Sequence, residues 1–369
     1  MIDITQKARL VRFGQALIDQ QKARVIVPPM KAQSGFWFGG GNLIEDQDGT
    51  FYLVGRYRNA GDARAGLGAG ERGLELAIWE SRDRGQTFAK VLSWSKRDLG
   101  PQGQEVLSIE GAALRWIGEG VELFVCSEKA GIGYPEEVEA FCKPGTGVWT
   151  IERLAAPTIP ELRTAEIHTV LQCRDPRFLH VKDPAVYDRL DGDTLLVFCT
   201  HPFSWTSSNS AYALRPRSAA AFGPPVYDFF RRGFAWDVAM SRITCLLRVP
   251  PVGAFADAAP LVLAFYDGGE SVRRYDEHAQ AVRRPRGYSC EEIGGLAVAL
   301  EADLSTIERL SVTLPLFVSP MGTGCSRYVD VLCTEEGLYA TWQQSQPDLS
   351  QPLVMNYLSW EEAEAILAD

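Results

Sequence analysis

The sequence predicts an all-β fold, a five-bladed β-propeller of four-stranded antiparallel blades with minor peripheral helices. Three observations predict it. A strand–turn–strand unit recurs along the 369 residues. The 34 glycines and 21 prolines are spread along the chain rather than gathered in one segment, as many short strands joined by turns require. Hydrophobic residues make up 46% of the chain, enough for apolar strands throughout.

The repeated unit is an apolar strand, a glycine-bearing turn with acidic neighbours, and a second strand rich in aromatic and β-branched residues. Four copies are clear: NLIEDQDGTFYLVGRYR from Asn42, EGAALRWIGEGVELFVCSEK from Glu110, DPAVYDRLDGDTLLVFCTHP from Asp183 and RYVDVLCTEEGLYATWQQ from Arg327. A looser copy starts at Asp237 with DVAMSRITCLLRV and resumes, after a longer loop, at PLVLAFYDGGE. The starts lie 68, 73, 54 and 90 residues apart, which suits four-stranded blades carrying loop insertions. The outer halves repeat as well, with acidic turns at Asp83 and Asp303. The run from Ser81 to Phe88, SRDRGQTF, resembles the Asp-box of sialidases and related propellers, a structural rim hairpin. In such a turn the Asp bonds local amides and the Gly supplies the positive φ.

Helices are expected only at the ends, within ARLVRFGQALIDQQ and over residues 359–368, where Ser359 and Glu362 have capping-box spacing. The expected organisation is one propeller domain over residues 1–369, with segments 1–30 and 359–368 packing on it.

A formal charge of −10 without a basic run argues against nucleic acid or anionic membrane as a partner. No apolar stretch reaches the length of a membrane span, and MIDITQKARL lacks the apolar core of a signal peptide, so a cytoplasmic location is expected. The eight cysteines form no CxxC pair, and Cys126, Cys199, Cys245 and Cys333 sit in apolar runs that suit buried thiols. The four histidines show no ligand-like spacing, so neither a metal nor a cofactor is expected.

In a propeller, the start of strand one, the end of strand two and the start of strand three of every blade meet at one mouth of the axial funnel. Glu110, Asp183 and Asp237 each open an inner strand just before a small or apolar run, and they are expected to converge as the catalytic group. Any one of them read alone is more often a solvated wall residue. Together they offer what glycoside hydrolysis requires, one carboxyl that protonates the leaving oxygen and one carboxylate that attacks or activates water. The apolar surround of Glu110 suggests a raised pKa and the acid role. Asp237 would be base or nucleophile, and Asp183, fixed by Pro184, would orient substrate. Acids on different blades favour inversion. Asn42, Arg56, Arg58, His201, Trp205, Asp267, Glu291 and Arg327 are the expected substrate-binding residues, and the partner is a small carbohydrate.

At these positions the sequence resembles the five-bladed propeller glycoside hydrolases, among them family 43 arabinanases and xylosidases, family 32 invertases and family 130 mannoside enzymes. Lys182-Asp183-Pro184, Ile109-Glu110-Gly111 and the run from Asn42 carry the resemblance. The resemblance implies a glycosidase. The chain departs from the pattern at Gly39-Gly40-Gly41-Asn42, where those enzymes have a first-blade Asp, so the base is expected elsewhere. Other readings are a sialidase-like hydrolase gripping a carboxylate through Arg56, Arg58 and Arg327, a uronate lyase using His201 with a tyrosine, and a non-catalytic sugar-binding propeller.

Overall fold

The computed structural model describes residues 2–59, 71–118, 120–142, 145–203, 207–270 and 292–368. Two expected site residues, Trp205 and Glu291, lie outside the described residues. Five antiparallel sheets follow one another along the chain. After helix α1 (Ile4–Leu17), β1 (Arg24–Val27) belongs to the last blade. The first blade holds β2 (Trp37–Gly39), β3 (Leu43–Glu45), β4 (Phe51–Asn59), β5 (Glu71–Ser81) and β6 (Ala89–Ser95). The second holds β7 (Val106–Ile117), β8 (Gly120–Lys129), β9 (Val148–Ala156) and β10 (His168–Leu171). The third holds β11 (His180–Asp188), β12 (Thr194–His201), β13 (Asn209–Arg215) and β14 (Val226–Phe230). The fourth holds β15 (Met240–Arg248), β16 (Leu261–Gly269), β17 (Ile293–Leu300) and β18 (Asp303–Arg309). In the fifth, β19 (Ser326–Cys333), β20 (Gly337–Gln344) and β21 (Leu353–Ser359) precede helix α2 (Trp360–Ala368).

The N-terminal strand closes the ring. β1 pairs antiparallel with β21, Arg24 opposite Met355, so one blade draws strands from both ends of the chain and no long edge is left between first and last blades. Between blades, apolar faces interlock: Leu76, Ile78 and Trp94 of the first blade pack with Leu114, Leu123 and Leu154 of the second. Both helices cover one such cluster, with Leu10, Phe13 and Leu17 of α1 and Leu367 of α2 fully buried beside Trp342 and Leu358.

The cap chemistry places the helices. Ser359 Oγ accepts from the Glu362 amide at 3.2 Å while the Ser359 amide donates to Glu362 Oε2 at 3.1 Å. The first helix starts earlier than the sequence reading placed it, because Asp3 accepts from the Gln6 amide at 2.8 Å and Gln6 returns the bond.

In the β5–β6 hairpin Asp83 accepts from the Thr87 amide at 2.8 Å, the Thr87 hydroxyl at 2.6 Å and the Ser81 hydroxyl at 2.7 Å. These bonds, the Thr87 hydroxyl first, pull its carboxyl down to about 2. Asp83→Ala is expected to lower stability measurably, through loss of the three turn hydrogen bonds, and to leave carbohydrate binding unchanged. Urea denaturation read beside a binding isotherm checks both.

Candidate active site

In four of the five blades the inner strand breaks its ladder with strand two. The pairing with strand two jumps from Ile109 to Ala112, from Lys182 to Ala185, from Ile243 to Cys245 and from Arg327 to Asp330. Such bulges re-aim side chains. At two of them a residue other than glycine is forced into the left-handed region, Asp183 and Tyr328, each with φ of 54°. Conformations of this kind persist where the surroundings fix them. Here the reason is visible: both side chains turn into one polar network at the axis.

That network reaches every blade. Arg56 donates through Nε and Nη2 to Glu110 Oε2 at 3.0 and 2.7 Å, and Arg58 Nη1 to Oε1 at 3.1 Å. Arg56 Nη2 also donates to the Tyr328 hydroxyl at 3.2 Å, which donates to Asp183 Oδ2 at 3.3 Å. Arg242 Nη1 meets the same Asp183 oxygen at 3.1 Å, and its Nη2 donates to Asp267 Oδ2 at 2.7 Å and Glu292 Oε2 at 2.5 Å. Arg327 Nη1 holds the other side of Glu292 Oε2 at 2.9 Å. The Tyr328 amide donates to both oxygens of Asp267 at 3.1 Å, while the Arg242 guanidinium lies 3.9 Å over the Tyr328 ring.

Glu110, Asp183, Arg56, Arg58, Asp267 and Arg327 are thus brought together, and all are buried. His201 stands at their margin, half-buried at the end of β12. Its Nε2 is 3.6 Å from Cys199 Sγ, which donates to Asp183 at 3.8 Å.

Three expectations are corrected. Asp237 does not join the network. It precedes β15, which starts at Met240, and is fully buried against Arg309 Nε of the outer strand β18 at 2.7 Å. The residue delivered to the axis in that blade is Arg242. Asn42 lies below the mouth and grips the neighbouring blade, donating to Leu114 O at 2.9 Å and accepting from the Leu114 amide at 2.7 Å. It acts as an extra ladder rung rather than a ligand group. Glu110 is no raised-pKa acid: burial opposes its charge, but Arg56, Lys182 and Arg58 together outweigh burial and hold it well below the usual carboxylate range.

The other carboxyls differ from it. Burial pushes Asp267 up to about 6, against the pull of Arg242 and helped by the charge of Glu292. Glu292, just ahead of β17, is held far down, since Arg242 and Arg327 outweigh its burial. Burial keeps the Tyr328 phenol protonated. Below the mouth, the inner strands of all five blades line a cavity of about 320 Å³ with Asn42 and Asp330 on its wall.

No family model matches the sequence, and no curated protein does. Solved structures do. A glycoside hydrolase superposes with a TM-score of 0.61 at 10% identity, over 97% of this chain and 96% of that one. A thermostable family-43 glycoside hydrolase gives 0.57 at 11% identity over 91% and 94%. An alpha-L-arabinofuranosidase from Lactobacillus brevis gives 0.56 at 10% over 91% and 92%. The chain has the five-bladed fold of these hydrolases. At such identities the likeness reaches the fold and no further.

The shifted carboxyls set a pH dependence. Glu110 and Glu292 titrate lower folded than unfolded, so their contribution is present above the ordinary carboxylate value of about 4 and is lost as pH falls through the folded values. Asp267 titrates higher when folded, so its contribution is complete below about 4 and is lost as pH rises toward about 6. Urea midpoints measured from pH 3 to 8 are expected to fall steeply at the acid end, and Asp267→Asn should remove the decline between about pH 4 and 6. A decline that persists in the variant would contradict the assignment.

Proposed function

We propose that the chain is a glycoside hydrolase that cleaves a glycosidic bond at the axial mouth. The observation that carries this reading is a pair of buried carboxyls bonded to a single arginine nitrogen, with proton affinities shifted in opposite directions. Arg242 Nη2 bonds both Asp267, pushed up to about 6, and Glu292, held ionised. Hydrolysis of a glycoside needs one carboxyl that keeps a proton and another that has lost it. The fold shared with glycoside hydrolases supports the same reading.

Glu292 takes the base or nucleophile role. Its Oε2 receives both arginines, whereas Oε1 has no hydrogen bond among the described residues, and its side chain is the most exposed of the four carboxyls at 15%. Asp267 takes the acid role, giving its proton to the leaving oxygen. Asp183 positions Arg242 and Tyr328, and Glu110 positions Arg56 and Arg58. A second reading, a sugar-binding propeller without turnover, is favoured by the depth at which Glu110, Asp183 and Asp267 lie under arginine.

The test is reducing-sugar release from a panel of aryl glycosides and plant or bacterial oligosaccharides, with ultraviolet absorbance recorded in parallel. Release without new absorbance is expected. An unsaturated absorbing product would instead show a lyase, and binding without release would show the non-catalytic propeller.

A further inference from the structure

The cations at the mouth are under-used. Arg58 is 3% exposed, yet its one hydrogen bond among the described residues is Nη1 to Glu110. Arg327 commits Nη1 to Glu292 and Nη2 to Gln351 Oε1 at 3.2 Å, and its buried Nε has no hydrogen-bond partner among the described residues. Both guanidinium groups lie against one indole, 5.1 and 4.4 Å from the Trp37 ring centroid. Two like charges beside one ring repel each other. Lys182, half-buried in the third blade, has neither an ion pair nor a hydrogen bond among the described residues and rests 4.3 Å over Trp149. Among the described residues, Arg56, Arg58, Lys182, Arg242 and Arg327 thus face Glu110, Asp183, Asp267 and Glu292. Such an excess of positive charge, fixed in place with donors unfilled, is organised to receive an anion.

We propose that the mouth binds its sugar through a carboxylate, so that the ligand is a uronic acid or a glycan carrying one, taken by Arg58 and Arg327 with Lys182 contributing to the field. The planar two-oxygen group fits the guanidinium fork, which a tetrahedral phosphate matches no better and a neutral hydroxymethyl group does not match at all. The inference rests on the reading of the mouth as the sugar site.

Isothermal titration with the methyl glycosides of glucuronate and galacturonate, of glucose and galactose, and with inorganic phosphate tests it. The uronides are expected to bind at least about tenfold tighter than the neutral glycosides and than phosphate, with affinity falling as salt is added. Arg58→Gln and Lys182→Met should each weaken uronide binding about tenfold, and Arg327→Lys should weaken it too, because charge survives but the fork does not. Lys182 has no ion pair or hydrogen bond among the described residues to lose, so Lys182→Met keeps the test usable if an arginine variant fails to fold. Equal affinity for neutral glycosides, equal affinity for phosphate, or no uronide binding would each overturn the proposal. Since titration reads no turnover, hydrolysis of neutral glycosides alone would overturn this inference and spare the glycosidase, whereas uronide binding without hydrolysis of any glycoside would do the reverse.

Discussion

Arg242→Met is expected to destabilise the protein more than any other single change at the axis, by about 3–5 kcal/mol at neutral pH. The guanidinium donates to Asp183, Asp267 and Glu292 at once, from three chain segments. A methionine fills comparable volume, so the expected loss is electrostatic rather than a cavity effect. It leaves Asp183, Asp267 and Glu292 buried in one another's field, with Arg327 still paired to Glu292 but no shared counter-charge for the three. Removing one partner from a buried charge group costs far more than the group contributes net, because the remaining charges cannot return to water. Those carboxyls would instead take up protons, so the loss should shrink as pH is lowered from 7 to 5. Urea midpoints at the two pH values check this. A midpoint shifted by less than about 0.5 kcal/mol at pH 7, or an equal shift at both, would mean that Arg242 is not the common counter-ion.

The largest effect on turnover is expected from Glu292→Gln. An amide keeps the shape of the side chain and can still accept from Arg242 and Arg327, but it can neither attack an anomeric carbon nor take a proton from water. A loss of about 10²–10⁴ in kcat follows for a group acting in the chemical step. Formate, small enough to enter beside the amide, is expected to restore part of the rate. Glu110→Gln should show the opposite balance. Glu110 clamps Arg56 and Arg58, so that variant should lose stability first and activity only modestly. Full activity in Glu292→Gln would remove Glu292 from the chemistry.

Much of the architecture was legible because a blade is a local object. A strand, a tight turn and a returning strand leave their period and their glycines in consecutive residues, so the five units and the Ser359–Glu362 cap could be read without knowing what they pack against. Arg56, Arg58, Glu110, Asp183, Asp267 and Arg327 could be placed at one mouth from topology alone. What escaped was set by register and by neighbours distant in sequence. Asp237 precedes its strand by three residues, and the loop that holds it turns its carboxylate to Arg309 on the outer strand. The ionisation of Glu110 could not be read from the glycine and alanines beside it, because its arginines arrive from the neighbouring blade.

The most direct measurement of the central claim is a crystal structure of Glu292→Gln bound to an oligosaccharide that the wild-type protein cleaves. The account predicts a sugar ring seated at the start of the inner strands, its anomeric carbon beside residue 292 and its substituents within hydrogen-bond reach of Arg58 and Arg327. A sugar bound instead in the cavity beside Asp330, on an outer blade face or at the hairpin of Asp83, with the mouth empty, would contradict it.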